Sequence, residues 1–245
     1  MVQTASTPDQ GETLMENRDA FLSTLARRLG REPRQTPPPL PPLDNDPARI
    51  RLTELTPQQR CDAFIDYAGN VMQAHCELTP QAEVAQAAAR LCQRYGGAPV
   101  LVSGDARLAE LGVTGHLRQA YQAQCWEPTA GEENLRLAAQ ARIGVVYAEY
   151  GLTESGGVVL FSTPQQGRAI TLLPESTLFI VRKSCLLPRV AQLAQHLRQR
   201  ARQGEALPSC INLIAGPSST ADIELIKVVG VHGPLNAAYL IIDDC

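Results

Sequence analysis

Short apolar runs alternate with amphipathic segments over the second half of the sequence, and this alternation restricts the fold more than any other feature. The run APVLVS at 98–103 is apolar throughout, as expected of a strand covered on both faces. Similar runs recur at 124–126, 141–150, 158–162, 177–183, 210–216 and 237–243, and helical patterns lie at 105–112, 131–142, 188–203 and 220–230. The pattern predicts an α/β fold, an open and mostly parallel sheet flanked by helices, with a hairpin-like interruption near 150–183.

The N-terminal region has a different composition. Phe21, Leu22, Leu25 and Leu29 recur at helical spacing before Gly30, which predicts a short amphipathic helix. Seven of the chain's 18 prolines follow within 33–47, a composition typical of an extended linker. We therefore expect a tail, helix and Pro-rich linker over 1–47, as a helical extension of one domain at 48–245. Whether the helix docks on its own domain, a sister copy or another partner stays open.

Two further helices are predicted before the first apolar run. Thr56 and Pro57 are typical of a helix start, and the apolar stripe that follows continues through His75. A second helix follows Thr79 and Pro80.

Composition excludes several classes of function. Lys and Arg number 22 against 25 Asp and Glu, so the chain lacks the basic field that nucleic-acid binding requires. The seven cysteines contain no C-x-x-C pair and the four histidines lie far apart, so we expect no iron-sulfur or metal site in this chain, and its own cofactor is unknown. The N-terminus lacks a signal peptide pattern and no window approaches the roughly 20 apolar residues of a membrane span. These features predict a cytoplasmic protein that binds neither nucleic acid nor membrane.

Familiar nucleotide-binding and hydrolase motifs are missing from the sequence. It contains no G-x-G, which excludes the Rossmann fingerprint, and no P-loop. Ser155 has Thr153 two places before it, so the G-x-S-x-G elbow fails as well.

One candidate site segment is YGLTESGGVVLFS at 150–162. Two adjacent glycines allow backbone amides to approach a bound group closely. The candidate ligand-binding residues here are Thr153, Ser155, Gly156 and Gly157, with Glu154 as a candidate catalytic residue. A tight turn or bulge without a ligand is the structural alternative.

A second candidate segment, INLIAGPSSTADIE at 211–224, reads as a strand, a turn and a helix start. Such a loop is expected in the crevice outside the carboxyl ends of the sheet strands, with the helix dipole beside it. Its candidate ligand-binding residues are Gly216, Ser218, Ser219 and Thr220, and Asp222 is a candidate general acid or base. A helix cap formed by Ser219 and Asp222 is the structural alternative.

The loop before the last strand supplies a third candidate. His232 lies between Gly230 and Gly233 in the segment VVGVHGPL, outside the predicted helices. Histidine titrates near neutral pH, which makes His232 a candidate catalytic residue. A purely structural role for a lone loop histidine is the alternative.

These segments resemble the LUD domain of lactate-utilisation proteins, in the LutC/YkgG group. The matching motifs are GLTESGGVVL, RAITLLPESTLFIV at 168–181, GPSSTADIE at 216–224 and GVHGP at 230–234, and the resemblance extends back to MENRDAFL near the N-terminus. It implies a fold similar to the NagB/RpiA/CoA-transferase group. It also implies a part in L-lactate oxidation to pyruvate beside two companion proteins that carry iron-sulfur clusters.

Three hypotheses follow. In the first, the chain is a cytoplasmic subunit of a lactate-oxidising system. Arg168 or another nearby arginine pairs with the ligand carboxylate, and His232 takes the hydroxyl proton while hydride or electrons pass to a partner's cofactor. In the second, it is a stand-alone isomerase, ligase or acyl transferase for a phosphorylated or CoA-linked substrate, acting through Glu154, Asp222 and His232. In the third, it is a non-catalytic assembly protein whose N-terminal helix docks a partner. Homo-oligomerisation stays open in each case.

Overall fold

The computed structural model describes residues 17–34, 36, 39, 50–221 and 226–245. The chain divides into two compact units, 1–45 and 46–245. In the first unit, helix α1 spans Arg18–Arg28, which confirms the predicted N-terminal helix. The chain leaves this helix through Gly30, whose φ of 65° is a left-handed conformation that glycine adopts without steric cost.

The described part of the second unit contains seven α-helices. They are α2 (Pro57–Asn70), α3 (Val84–Arg94), α4 (Ala106–Glu110), α5 (Val113–Tyr121), α6 (Glu132–Gln140), α7 (Ala169–Leu172) and α8 (Val190–Arg202), with short 3-10 turns at Gln81–Glu83 and Lys183–Cys185. Helix α2 begins as its sequence predicts. The Thr56 side chain accepts a hydrogen bond from the Gln59 amide, and the Gln59 side chain accepts one from the Thr56 amide.

A main sheet of six parallel strands occupies the centre of this unit. Its strands are β1 (His75–Pro80), β2 (Val100–Val102), β3 (Gln124–Cys125), β4 (Ile143–Tyr147), β7 (Ser176–Arg182) and β12 (Asn236–Asp243). Their order across the sheet is β1-β12-β7-β4-β2-β3, and every pairing is parallel. This sheet confirms the predicted α/β architecture.

Both faces of the main sheet are covered, which explains why its strands are apolar throughout. Val145 of β4 and Leu240 of β12 lie in an apolar core that they share with α3 and α5. On the opposite face, Val146 and Tyr239 lie in a second core that includes residues of α2 and α6. Successive residues of a strand point to opposite faces, so strands between two helical layers need no polar side.

A second sheet packs beside this assembly. Its strands, in spatial order, are β8 (Leu186–Leu187), β5 (Tyr150–Leu152), β6 (Gly157–Phe161) and β9 (Ile211–Ile214). Strands β5 and β6 form the expected hairpin, and β9 runs antiparallel to β6. The apolar runs at 158–162 and 210–216 are therefore strands as predicted, but of a separate sheet that the sequence pattern does not distinguish from the main one. A tight reversal after β5 makes β6 antiparallel and removes it from the parallel sheet.

Helix α2 is shorter than predicted. It ends at Asn70, and Gln73 adopts a left-handed φ of 61° that a continuing helix excludes. His75, predicted on the apolar stripe of this helix, instead begins β1 and pairs with Ala238 of β12. The prediction that the helix continues to His75 was wrong, because apolar residues keep their helical spacing in the sequence beyond Asn70, where the helix ends.

The prediction of a helix at 220–230 is also wrong for the residues of this segment that the structure describes. Strand β10 (Ser219–Ala221) pairs antiparallel with β11 (Lys227–Val229) to form a two-stranded sheet. Val228 and Val229 are β-branched and favour a strand.

Gly144 generates a test of the packing between β4 and α7. A Cβ atom added at Gly144 would lie 2.0 Å from the backbone oxygen of Ile170, so the helix would have to move away from the sheet. We expect Gly144→Ala to lower the free energy of unfolding by roughly 1–3 kcal/mol. Gly115→Ala on α5 is the control, because an added Cβ meets nothing within 4 Å there. Urea denaturation followed by circular dichroism measures both variants, and equal stabilities would contradict this account.

Candidate functional site

Two neighbouring cavities lie at the amino ends of the main-sheet strands β7 and β12. The inner cavity has a volume of about 260 Å³, and the outer cavity has a volume of about 550 Å³. Residues at the start of β7 and β12, at the end of β9 and in the turn after β9 line the inner cavity, among them Thr177, Ile214, Gly216, Ser218 and Asn236. Leu172, His232 and Gly233 line both cavities.

This location corrects the expected position of the 216–222 loop. The loop follows β9, which belongs to the second sheet and runs antiparallel to β6. It therefore meets the amino ends of the main-sheet strands rather than their carboxyl ends. The expected helix dipole is also missing at Thr220, because Ser219–Ala221 is a strand.

The aromatic core of the domain fixes the position of Gly216. The Gly216 amide donates a hydrogen bond of 2.7 Å to the hydroxyl of Tyr239 on β12. The Tyr239 ring packs against Phe64 and Phe179, at centroid distances of 5.6 and 5.5 Å. Gly216 has a φ of 69°, and an added Cβ would lie 2.3 Å from the Met72 carbonyl oxygen. The turn therefore requires glycine for packing and backbone conformation, whether or not a ligand binds.

Tyr239 keeps its proton at this position. Burial raises the pKa of its hydroxyl far above the usual value for tyrosine. The protonated hydroxyl also lies 3.5 Å from the Ile214 carbonyl oxygen, to which it donates. It thus contacts the end of β9 and the turn that follows.

Hydrogen bonds tie the GPSS and GVHGP segments together beside the inner cavity. The Ser218 amide donates to the Pro234 carbonyl oxygen, and the Gly230 amide donates to the Ser218 carbonyl oxygen, both at 2.9 Å. The loop between these two bonds carries His232, whose exposed side chain lies at the wall shared by the two cavities. The structure therefore brings the second and third candidate segments to one place.

The first candidate segment forms a tight turn that packs against α2 and β9. A Cβ added at Gly156 would lie 2.7 Å from the Ala68 nitrogen, and one added at Gly157 would lie 3.0 Å from the Ile214 carbonyl oxygen. Thr153 is buried and Ser155 is exposed. Protein atoms occupy the space that these glycines leave, so close packing accounts for the glycine pair, and the turn is absent from the lining of both cavities.

Glu154 lies between arginine side chains. One of its oxygens accepts a hydrogen bond from Nε of Arg189, and the other lies 3.2 Å from a guanidinium nitrogen of Arg51. The Glu154 amide also donates to the Pro188 carbonyl oxygen at 3.1 Å. The Glu154 carboxylate, a candidate catalytic group, therefore already forms ion pairs with Arg189 and Arg51.

The remaining candidates do not line the two cavities where the structure describes them. Arg168 is exposed and lies immediately before α7. The Ser219 hydroxyl donates to the Pro217 carbonyl oxygen, and Thr220 pairs with Val228 in the small hairpin. Asp222 lies outside the described residues.

Sequence reasoning missed polar residues at the first positions of the buried strands. Asn236 donates to the Ser176 hydroxyl at 3.0 Å, and the Thr177 hydroxyl donates to the Thr171 carbonyl oxygen at 3.3 Å. Asn236 and Thr177 both line the inner cavity. Their signal in the sequence is a polar residue at the head of an otherwise apolar run, as in STLFIV and NAAYLII.

The opposite edge of the main sheet carries an ion-pair network, the carboxyl-edge belt, formed by Asp105, Arg107, Tyr147, Glu149 and Arg182. Arg107 donates to Asp105 at 2.9 Å and to Glu149 at 3.0 Å, and its guanidinium carbon lies 4.0 Å above the Tyr147 ring centroid. Arg182 donates to the Tyr147 hydroxyl at 3.1 Å. The belt lies where the chain order reverses between β2 and β4, which is the usual ligand crevice of such sheets. In this structure the charged side chains at that crevice pair with one another.

Two buried thiols and one half-buried thiol, Cys76, are protonated in this domain. Burial raises the pKa of Cys61 to about 11 and the pKa of Cys76 and Cys92 to about 12. Within the described ranges, no group of three or more His, Cys, Asp or Glu side chains is placed to hold a metal ion. Nor does any helix described here combine the length and apolar character that crossing a membrane requires.

The contact between Gly216 and Tyr239 generates a prediction. Tyr239→Phe keeps the ring but leaves a buried amide without its acceptor, so we expect the free energy of unfolding to fall by roughly 1–3 kcal/mol. The Gly216 amide should also exchange faster with deuterium. Tyr67→Phe, at a more exposed tyrosine of α2, is the matched control and should change stability by less than about 0.5 kcal/mol. An unchanged Gly216 exchange rate in Tyr239→Phe would show that the bond does not hold the turn.

The carboxyl-edge belt predicts acid sensitivity. Burial opposes the ionisation of Asp105, but hydrogen bonds from Arg107 outweigh it and lower the pKa of this carboxyl. The stabilisation is therefore complete above the unfolded pKa of about 3.9 and is lost as pH falls through the lower folded pKa. We expect Asp105→Asn to lower the free energy of unfolding by roughly 1–2 kcal/mol near pH 7. Asparagine retains a cap for α4, so the charge is the main change.

Urea denaturation at several pH values measures this effect. The stability difference between Asp105→Asn and the unmodified chain should shrink as pH falls to about 3. The exposed Asp62→Asn on α2 is the control. A difference for Asp105→Asn that stays constant over this range would contradict the assignment.

Comparison with known proteins places this chain in a family. The LUD domain matches residues 66–242. "Uncharacterized protein YkgG" of Escherichia coli is 59% identical over 235 residues, covering 94% of this chain and all of that protein (100%). Two proteins named "Lactate utilization protein C", from Geobacillus kaustophilus and Bacillus subtilis, are 41% and 36% identical, each covering 94% of this chain and 98% of the relative.

A solved structure shares the fold. The crystal structure of a DUF162 family protein from Deinococcus radiodurans aligns with a TM-score of 0.54 at 18% identity, over 77% of this chain and 99% of that one. With a family match over residues 66–242 and similar relatives along nearly the full length, this chain belongs to the LUD domain family.

Proposed function

We propose that this chain is a component of an L-lactate utilisation system and binds a small 2-hydroxy or 2-oxo carboxylate in the inner cavity. The system follows from similarity to proteins named Lactate utilization protein C along almost the whole chain. The observation that carries the binding site is the meeting of segments 216–218 and 230–234 at one cavity. Both segments belong to the motifs that resemble the family.

The inner cavity suits a small acid in size and chemistry. Its volume of about 260 Å³ lies below the roughly 300–1,000 Å³ of pockets for larger ligands. Phe179 and Ile214 offer an apolar surface for a methyl group, while the Ser218 hydroxyl and the Asn236 amide offer donors for oxygen atoms. Among the described lining residues none is Lys or Arg, so a carboxylate would be held by neutral donors and by His232.

His232 is the group we assign to proton transfer. Oxidation of L-lactate to pyruvate removes the hydroxyl proton and, as a hydride, the hydrogen on the adjacent carbon with its two electrons. An imidazole at the cavity wall accepts the hydroxyl proton as a general base. We propose that the hydride passes to a cofactor held by iron-sulfur partner proteins in the cytoplasm, whose clusters then carry its two electrons away one at a time. This makes the chain the ligand-binding or accessory subunit.

Isothermal titration of the purified full chain with L-lactate and with pyruvate tests the site. We expect binding of at least one acid, and Ser218→Ala and His232→Ala should each weaken it roughly tenfold, the effect of losing one hydrogen bond to a charged group. His116→Ala on α5 lies outside both cavities and should leave the affinity unchanged. Binding that survives both cavity substitutions, or no binding of either acid, would overturn the proposed site.

The subunit role needs a separate measurement. Lactate-dependent dye reduction should appear only when this chain is combined with its iron-sulfur partners. Activity of the isolated chain would overturn that role. Thermal stabilisation by CoA or sugar phosphates, with none by lactate or pyruvate, would favour the alternative of a stand-alone enzyme for phosphorylated or CoA-linked substrates.

A further inference from the structure

We propose that the outer cavity binds a ribonucleoside monophosphate, either as a free ligand or as part of a larger cofactor. This inference goes beyond the small-acid site and does not require it. It rests on the size of the outer cavity, on one arginine and one carboxylate at its wall, and on the backbone groups around them.

The size of the outer cavity fits a mononucleotide better than a small acid. Its volume of about 550 Å³ lies within the range of roughly 300–1,000 Å³ that is typical of pockets for ligands of this size. It adjoins the inner cavity through Leu172, His232 and Gly233, which line both. A molecule in the outer cavity therefore borders whatever the inner cavity holds.

Arg142 and Glu175 stand at the entrances to β4 and β7 and supply opposite charges to the outer cavity. Nε of Arg142 lies 3.8 Å from a Glu175 oxygen, and the two side chains are 46% and 52% exposed. A guanidinium nitrogen of Arg142 also donates to the Gly96 carbonyl oxygen at 3.3 Å. Both contacts are long and exposed and stabilise little, so Arg142 and Glu175 can exchange them for contacts with a ligand. A guanidinium binds a phosphate through two parallel hydrogen bonds. A neighbouring carboxylate accepts hydrogen bonds from ribose hydroxyls, as acidic residues do in dinucleotide sites.

The rest of the wall favours hydrogen-bond donors and a flat apolar group. Helix α6 ends at Gln140, and residues 139–141 line the cavity, so the negative end of the helix dipole lies beside it. Leu173 and Leu235 are 48% and 47% exposed and, with Pro174, give an apolar surface. Within the described lining, one arginine and one carboxylate beside the negative end of a helix match a ligand with one phosphate, donor hydroxyls and a planar base. The carboxylate and the helix end oppose the additional negative charge of a di- or triphosphate.

Isothermal titration of the full chain with adenosine monophosphate and with nicotinamide mononucleotide tests this site. We expect at least one of them to bind. The matching nucleoside, which lacks the phosphate, and the matching 2′-deoxy nucleotide, which lacks one hydroxyl, should each bind roughly tenfold more weakly or worse. Inorganic phosphate alone should bind far more weakly than the nucleotide.

Single substitutions assign these losses to individual side chains. Arg142→Gln should abolish the difference between nucleotide and nucleoside. Glu175→Ala, which leaves no side-chain acceptor, should abolish the difference between ribose and deoxyribose. Arg90→Gln is the matched control, because Arg90 lies on α3 outside the cavity lining and pairs with Glu77. Its affinity should equal that of the unmodified chain. Circular dichroism confirms the fold of each variant.

Several results would overturn the proposal. The first is that neither nucleotide binds at millimolar concentration. The second is that Arg142→Gln leaves nucleotide binding unchanged. The third is that inorganic phosphate or a triphosphate binds as tightly as the monophosphate. Titration of the same samples with L-lactate separates this proposal from the small-acid site. If the chain binds lactate but neither nucleotide, only the proposed nucleotide site is contradicted. If it binds a nucleotide but neither lactate nor pyruvate, only the proposed acid site is contradicted.

Discussion

The hydrogen bond from the Gly216 amide to the Tyr239 hydroxyl joins the core of the domain to its candidate site. Tyr239 lies in β12, between two parallel neighbours in the main sheet, and Phe64 and Phe179 restrict its ring. The hydroxyl therefore has one position, and the turn after β9 must meet it there. The position of the turn also sets the positions of Ser218 and of the loop that carries His232, because backbone hydrogen bonds join them to this turn. The geometry of the inner cavity is thus set by a residue that belongs to the core.

The two edges of the main sheet differ in how their charges are satisfied. At the carboxyl edge, Arg107 is shared by two carboxylates and stacks on Tyr147, which accepts a hydrogen bond from Arg182. A ligand at that edge would have to replace several short, partly buried contacts, which costs more than it returns unless every group finds a new partner. At the amino edge, the charged pair is long and solvent-exposed. Arg142 there also donates to the Gly96 carbonyl oxygen, at 3.3 Å. A ligand at this edge would displace water and these long contacts, which is why we place both proposed sites at this edge.

The apolar runs in the sequence were enough to predict the α/β architecture, because a strand covered on both faces leaves a continuous apolar signature. They were not enough to predict β1 or the small hairpin. His75–Pro80 carries polar residues and follows a helical stripe, and its strand character comes from pairing with β12, about 160 residues away in sequence. Local patterns do not contain that partner.

The candidate site shows the same limit at the level of single residues. Gly216, Ser218 and His232 stand in motifs with more glycine and polar residues than packing predicts, and the structure gathers them at one cavity. Thr177, Asn236 and Arg142 carry no such signal, since each is one polar residue beside an apolar run. Only the parallel register places Ser176 level with both Asn236 and Ile143, and so brings these strand starts together.

The distribution of charge between the two cavities has a consequence for how a proton acceptor would work there. The inner cavity offers neutral donors, and the cation nearest to the shared wall among the described lining residues is Arg142 of the outer cavity. An acid bound by neutral donors is held weakly and exchanges quickly, because no short ion pair has to break. Occupation of both cavities would remove water from both sides of His232. Because His232 lines both cavities, an acid in the inner cavity and a nucleotide in the outer cavity would border the same side chain, so occupation of one cavity restricts the room for this side chain in the other.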